Sequence, residues 1–178
     1  MVMLITGASH TGKTMLAQRL LEKYHYPYLS VDHLKMGLIR SGNTDLSVED
    51  DEGLTAYLWP IVREMMKTVI ENGQDLIVEG CYVPFGWRED IGEEYAGSVR
   101  SVCLVMSDSY IDRNIGLINE KESVIEHRLE SWGCDAAYLK EENRKYLEGF
   151  SAAGERIVMI DLDHVSGIEK AVEMLKQM

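Results

Sequence analysis

The chain has 178 residues, which at roughly 150 residues per domain argues for a single domain. Hydrophobic residues at 46% and charged residues at 27% exclude a disordered segment or a low-complexity fibre. Against 18 Lys and Arg stand 30 Asp and Glu; the resulting charge of −12 repels a phosphate backbone, disfavours extended nucleic acid as a general partner, and obliges any anionic ligand to find a local basic cleft.

In chain order, Val2 to Thr6 is an apolar run typical of a strand buried on both faces, closed by Gly7. From Lys13 the period becomes helical, with Leu16, Leu20 and Tyr24 on one stripe and Leu21 beside it. A second short strand is expected over 27–31, with Asp32 at its carboxyl end, in a position to cap a helix over 33–39. The stretch 41–53, with Gly42, Asn43 and the acidic run Glu49 to Glu52, reads as a mobile connection. Leu54, Tyr57, Leu58, Ile61, Val62, Met65 and Val69 then match an amphipathic helix over more than four turns, stopped by Asn72-Gly73. Leu76-Ile77-Val78 is a third strand ending at Glu79-Gly80. Val99 to Met106 is a fourth, interrupted at its start by Arg100 and Ser101, and 157–160 is a fifth. A last helix turns Ile168, Ala171, Val172 and Leu175 inward.

Strands alternating with helices imply right-handed crossovers, and hence a three-layer α/β/α fold on a five-stranded parallel sheet. Ligands of such sheets bind beyond the carboxyl ends of the strands, which directs attention to Gly7, Asp32, Glu79, Ser107 and Asp161. The three cysteines, Cys81, Cys103 and Cys134, form no C-x-x-C pair and no even framework, so a reducing cytoplasm is the expected compartment. No apolar run approaches the roughly 18 residues of a membrane span, and 2–5 is too short and uncharged for a signal peptide, so no membrane contact is expected.

The most specific feature is Gly7-Ala8-Ser9-His10-Thr11-Gly12-Lys13-Thr14, which satisfies G-x-x-x-x-G-K-[ST] at every fixed position and lies between the first strand and the first helix. Gly7 and Gly12 let successive N–H groups turn toward a β-phosphate, and the helix N-terminus adds its partial positive charge. Lys13 would reach the β- and γ-phosphates and the Thr14 hydroxyl one position on Mg²⁺. His10 and Thr11 contribute backbone donors, and the His10 side chain is assigned no role.

On this loop and the order of elements around it, the sequence resembles the P-loop small-molecule kinases, a group that includes nucleoside monophosphate kinases, shikimate and gluconate kinases, chloramphenicol phosphotransferase and the zeta-toxin kinases. The resemblance spans nearly the whole chain, with only the loop motif specific. It implies ATP and Mg²⁺ as cofactors, a helical substrate-binding segment over 33–74 and a lid over 109–135, within one domain of 1–178. It also implies an acidic residue at the end of strand two that holds or deprotonates an acceptor hydroxyl. Asp32 in Val31-Asp32-His33-Leu34-Lys35-Met36 occupies that place; capping the helix is the other reading of the same carboxylate, and the two can coexist. Arg40 is positioned to pair with an anionic part of the acceptor, or is a solvated surface residue. Glu79, after three apolar residues, resembles the acidic end of a Walker B strand that reaches the metal through water. Cys81, Tyr82 and Trp87 follow it, placed to line the substrate pocket, with packing the favoured role for the two aromatics.

Beyond strand four, Arg113 resembles the arginine of the helix before a kinase lid, and Arg128 follows within the lid stretch. Lid arginines stabilise charge on a transferring phosphoryl group and help exclude water. Arg144 is a weaker third candidate. The dense R-x-x-x-R or R-R pattern of several related lids is absent. The expected function is ATP-dependent transfer of the γ-phosphoryl group to a hydroxyl or phosphate of a small-molecule acceptor. The alternatives are a nucleotide-dependent switch or binding protein, against which the missing N-K-x-D counts, and a zeta-toxin-like kinase of a nucleotide sugar. The sequence specifies neither the acceptor nor the oligomeric state.

Overall fold

A computed structural model describes residues 1–125 and 135–176, with backbone alone for 121–125. Five strands, β1 (Val2–Gly7), β2 (Tyr28–Ser30), β3 (Leu76–Glu79), β4 (Val99–Met106) and β5 (Ile157–Ile160), pair in parallel in the order β2-β3-β1-β4-β5. The central strand β1 runs from Val2 opposite Val99 to Gly7 opposite Leu104, so the loop after it leaves the middle of the sheet.

The pleat sorts alternate residues into two cores. Met3, Ile5, Ile77, Val102, Leu104 and Val158 pack under α1 (Lys13–Tyr24) and α8 (His164–Lys176), which supply Leu16, Leu20, Ile168 and Leu175. Val2, Leu4, Val78, Cys103 and Val105 face the opposite way. They are covered by α3 (Asp51–Glu71) through Leu54, Leu58 and Val62, by α4 (Trp87–Ile91), and by α7 (Ala136–Ala152) through Phe150. The remaining helices are α2 (Val31–Arg40), α5 (Glu93–Ala96) and α6 (Asp108–Ile125). Among the described residues no helix is long and apolar enough to cross a membrane.

Several local expectations need correction. The connection over 41–53 ends earlier than expected, at Asp50, and the acidic run straddles the start of α3. Asp50 accepts a hydrogen bond from the Gly53 N–H at 2.9 Å, and Asp51 and Glu52 sit in the first turn of α3, where they complement the helix dipole. Met65 is partly exposed while Trp59 and Met66 are buried, so the inward stripe of α3 is rotated slightly from the expected one. This helix also runs through Pro60, whose ring is exposed and which removes one intrahelical donor. The strand β4 is not interrupted. The Ser101 hydroxyl donates to Glu155 Oε2 at 2.6 Å and accepts from Arg88 at 3.1 Å, while Arg100 reaches out to the Leu175 carbonyl at 3.0 Å at the end of α8. Asp32 is not a cap either: α2 begins at Val31 with Ser30 as its N-cap residue, and Asp32 lies in the first turn.

Candidate active site

The turn from β1 into α1 is held in a shape that side chains resist. Gly7 has φ 141°, Gly12 has φ 88°, and His10 takes a left-handed φ of 61°. A Cβ on Gly7 would lie 2.1 Å from the Leu104 carbonyl oxygen, so β4 fits against the loop only because no side chain is present. The loop is braced from within. The Ala8 N–H donates to the Leu104 carbonyl at 3.2 Å, and the Ala8 carbonyl accepts from the Thr11 hydroxyl and from Lys13 Nζ, each at 2.8 Å. His164 Nε2 lies 3.2 Å from the Thr11 carbonyl, docking the start of α8 against the loop.

Above the carboxyl ends of the strands opens a cavity of about 1710 Å³. Ser9, His10, Gly12, Lys13, Thr14, Asp32, Arg40 and Glu79 all line it, while Gly7, Ala8 and Thr11 are buried behind its wall. The parallel pairing of β1, β2 and β3 is what brings loop and carboxylates to one space, since all three strands end on the same edge of the sheet. Glu79 is 1% exposed and accepts from the Tyr28 hydroxyl at 2.7 Å, which satisfies one of its oxygens. Asp32 and Lys35 form an ion pair at 2.8 Å with side chains 25% and 13% exposed. Lys35 Nζ donates in addition to the Tyr82 hydroxyl at 2.8 Å and sits 5.0 Å from that ring's centroid. Cys81 and Tyr82 thus belong to the cavity wall, the less favoured of the two readings for Tyr82, while Trp87 is fully buried and packs. Burial raises the Cys81 thiol from its ordinary 9.0 to about 11, and it pushes the Tyr82 hydroxyl up as well.

The arginines are distributed differently. Arg40 is exposed at the last turn of α2, on the cavity rim. Arg113 is exposed on α6 and donates to the Asp161 carbonyl at 2.5 Å, away from the cavity lining. Asp161 itself is held below the ordinary carboxylate range by hydrogen bonds from Ser107 and Ser109, with Arg113 adding to the effect. Arg128 lies outside the described residues, and Arg144 is paired with Glu141 on an exposed face.

Sequence reasoning missed α7 as a wall of the site. Glu141, Glu142, Lys145 and Tyr146 all face the cavity, and Glu142 touches the loop directly: its Oε2 accepts from the Ser9 N–H at 3.0 Å and its Oε1 from the Ser9 hydroxyl at 2.9 Å. The helix itself was detectable from Leu139, Tyr146 and Phe150 on one stripe, but the pairing with Ser9, 133 residues away, leaves no local signal.

No family model matches the sequence, and no curated protein matches it either. Solved structures do match. A gluconokinase from Sinorhizobium meliloti 1021 superposes over 99% of this chain and 91% of its own, at TM-score 0.56 and 16% identity. A shikimate kinase from Aquifex aeolicus covers 99% and 96%, at 0.56 and 15%. A deoxyadenosine kinase from M. mycoides covers 100% of both chains, at 0.57 and 15%. The chain has the α/β fold of the P-loop small-molecule kinases, with five parallel strands and helices on both faces.

Proposed function

We propose that this protein is an ATP-dependent phosphotransferase acting on a small molecule, built as one domain over 1–178 with a substrate-binding segment over 33–74 and a lid over 109–135. The observation that carries the proposal is the glycine-shaped loop at the end of the central strand, opening into the same cavity as Asp32 and Glu79. The kinases named above share the fold across nearly their whole lengths, which supports the reading.

The loop suits a nucleotide polyphosphate, because left-handed backbone at His10 and Gly12 lies where Ser9, His10, Gly12, Lys13 and Thr14 line the cavity at the start of α1. Among the described residues no group of three His, Cys, Asp or Glu is placed to hold a metal by itself. Mg²⁺ arriving with the nucleotide would be held by the Thr14 hydroxyl and, through water, by Glu79, both of which line the cavity. The chemistry such a metal would supply is neutralisation of charge on the phosphates. Lys13 releases the Ala8 carbonyl and turns to the phosphates. Asp32 uses Oδ2, the oxygen not engaged by Lys35, to orient the acceptor hydroxyl and take its proton. Lys35 holds that carboxylate in place, and Arg40 on the rim pairs with an anionic substituent of the acceptor. Arg113 and Arg128 are the lid's candidates for stabilising the transferring group. ADP and the phosphorylated acceptor are the products, and neither extended nucleic acid nor a membrane takes part. The cytoplasm, with its ATP and Mg²⁺, is the matching compartment.

The test is a metabolite screen for compounds that accelerate ADP release above the background ATPase. With the acceptor found, Asp32→Asn lowers kcat by about 10²–10⁴ while leaving the Kd for Mg-ATP unchanged. Full turnover in that variant removes Asp32 from the chemistry. A protein that binds ATP but is accelerated by no acceptor is a nucleotide switch.

A further inference from the structure

The Ser9 N–H and hydroxyl are already held by an anion that belongs to the protein. Glu142 grips both through its two carboxylate oxygens, at 3.0 and 2.9 Å, on a loop whose geometry is made for phosphate oxygens. The carboxylate is delivered from a helix that cannot readily move. Next to Glu142, the buried Asn143 accepts from the Met106 N–H at 2.6 Å and donates to the Leu139 carbonyl at 2.7 Å, while the Tyr146 hydroxyl donates to the Cys81 carbonyl at 2.7 Å. Tyr146 stacks on Phe150 and Phe85 meets both rings edge-on, with centroids 5.0 to 6.3 Å apart. Just beyond Glu142, α7 is therefore tied to the end of β4 through Asn143 and to the backbone following β3 through Tyr146. The Glu142 side chain itself is half-buried.

A phosphate approaching Ser9 brings negative charge to the same two donors, and two anions cannot share them. We propose that Glu142 is an internal competitor for the phosphate position at Ser9, lowering the affinity of the loop for nucleotide until its side chain swings away. This rests on the nucleotide-binding reading given above. The competition scales with occupancy: a carboxylate holding the donors nine-tenths of the time weakens apparent binding about tenfold. Such occupancy is within the strength of hydrogen bonds to a charged acceptor. The fixed helix makes the effect local, so that affinity is set by one side chain and not by rearrangement of α7.

Isothermal titration of Mg-ATP and of Mg-pyrophosphate into wild type, Glu142→Gln and Glu142→Ala tests this, with Glu148→Gln as a control that removes the same charge from an exposed position of α7. Both Glu142 variants bind either ligand about tenfold more tightly than wild type, and the control stays within about twofold. Amide hydrogen exchange gives a readout independent of turnover. Ser9 exchanges faster in Glu142→Ala than in wild type before ligand is added, and at the same rate once Mg-ATP is bound. Equal or weaker ligand binding in folded Glu142 variants overturns the proposal while leaving nucleotide binding intact. Failure of every protein, wild type included, to bind either ligand overturns both readings together.

Discussion

At the scale of single residues, the loop depends on two positions for different reasons. Gly7 is required by packing, since any side chain would collide with the Leu104 carbonyl across the β1–β4 ladder. Gly7→Ala must therefore push the two central strands apart; we expect a loss of about 3 kcal/mol or more, seen as a fall in Tm of roughly 10 °C. Lys13 matters, under the proposed function, for nucleotide and not for the fold. Its ammonium bonds to the loop's own Ala8 carbonyl and makes no ion pair with a described residue, so Lys13→Met leaves Tm within a few degrees while weakening Mg-ATP binding by about a hundredfold in titration calorimetry. Both residues were legible in the sequence because the motif is contiguous and each fixed position has a separate physical cause. Lys35 was not singled out, since its partners Asp32 and Tyr82 come together only when β2 and β3 pair.

At the scale of elements, what the sequence concealed is mostly polar. The acidic run before α3 resembles a solvated loop until the Asp50 carboxylate is seen accepting from Gly53. Asp50→Ala then costs about 1 kcal/mol, a drop of roughly 2–4 °C in a thermal melt, whereas Asp45→Ala in the same connection changes nothing measurable. The fourth strand looks broken at Arg100 and Ser101 because periodicity counts apolar residues and cannot anticipate that Glu155 and Arg88 will satisfy a buried hydroxyl. For α7 the stripe is real, but a buried Asn143 in its centre disguises it. Where Gly149 passes the Phe85 ring, a Cβ would come within 2.5 Å. Gly149→Ala gains up to about 1 kcal/mol in helix propensity yet loses about 1–3 from overpacking, so the protein melts lower and the ring that borders the cavity shifts.

At the scale of the whole molecule, the parallel sheet and both cores followed from the alternation of strands and helices, because buried parallel strands announce themselves as short apolar runs. The same burial sets an alkaline limit. Desolvation raises Cys81 to about 11 and Cys103 to about 12 from an ordinary 9.0, so the folded state retains protons that the unfolded chain gives up. Raised pKa values contribute stability that is complete below pH 9.0 and is lost as pH climbs toward 11 and 12. Urea midpoints are accordingly expected to hold level from pH 7.5 to 8.5 and to fall steadily above pH 9, with Cys103→Ala flattening the descent; a midpoint unchanged at pH 10.5 would contradict it. The central placement of β1 also has a consequence in time. Its neighbours β3 and β4 lie roughly 75 and 100 residues further along, so the loop after β1, made well before either, lacks its outer support until Leu104 has been synthesised and can close against Gly7. A nascent chain stalled ahead of β4 should have no grip on nucleotide, however long its loop has been in solution.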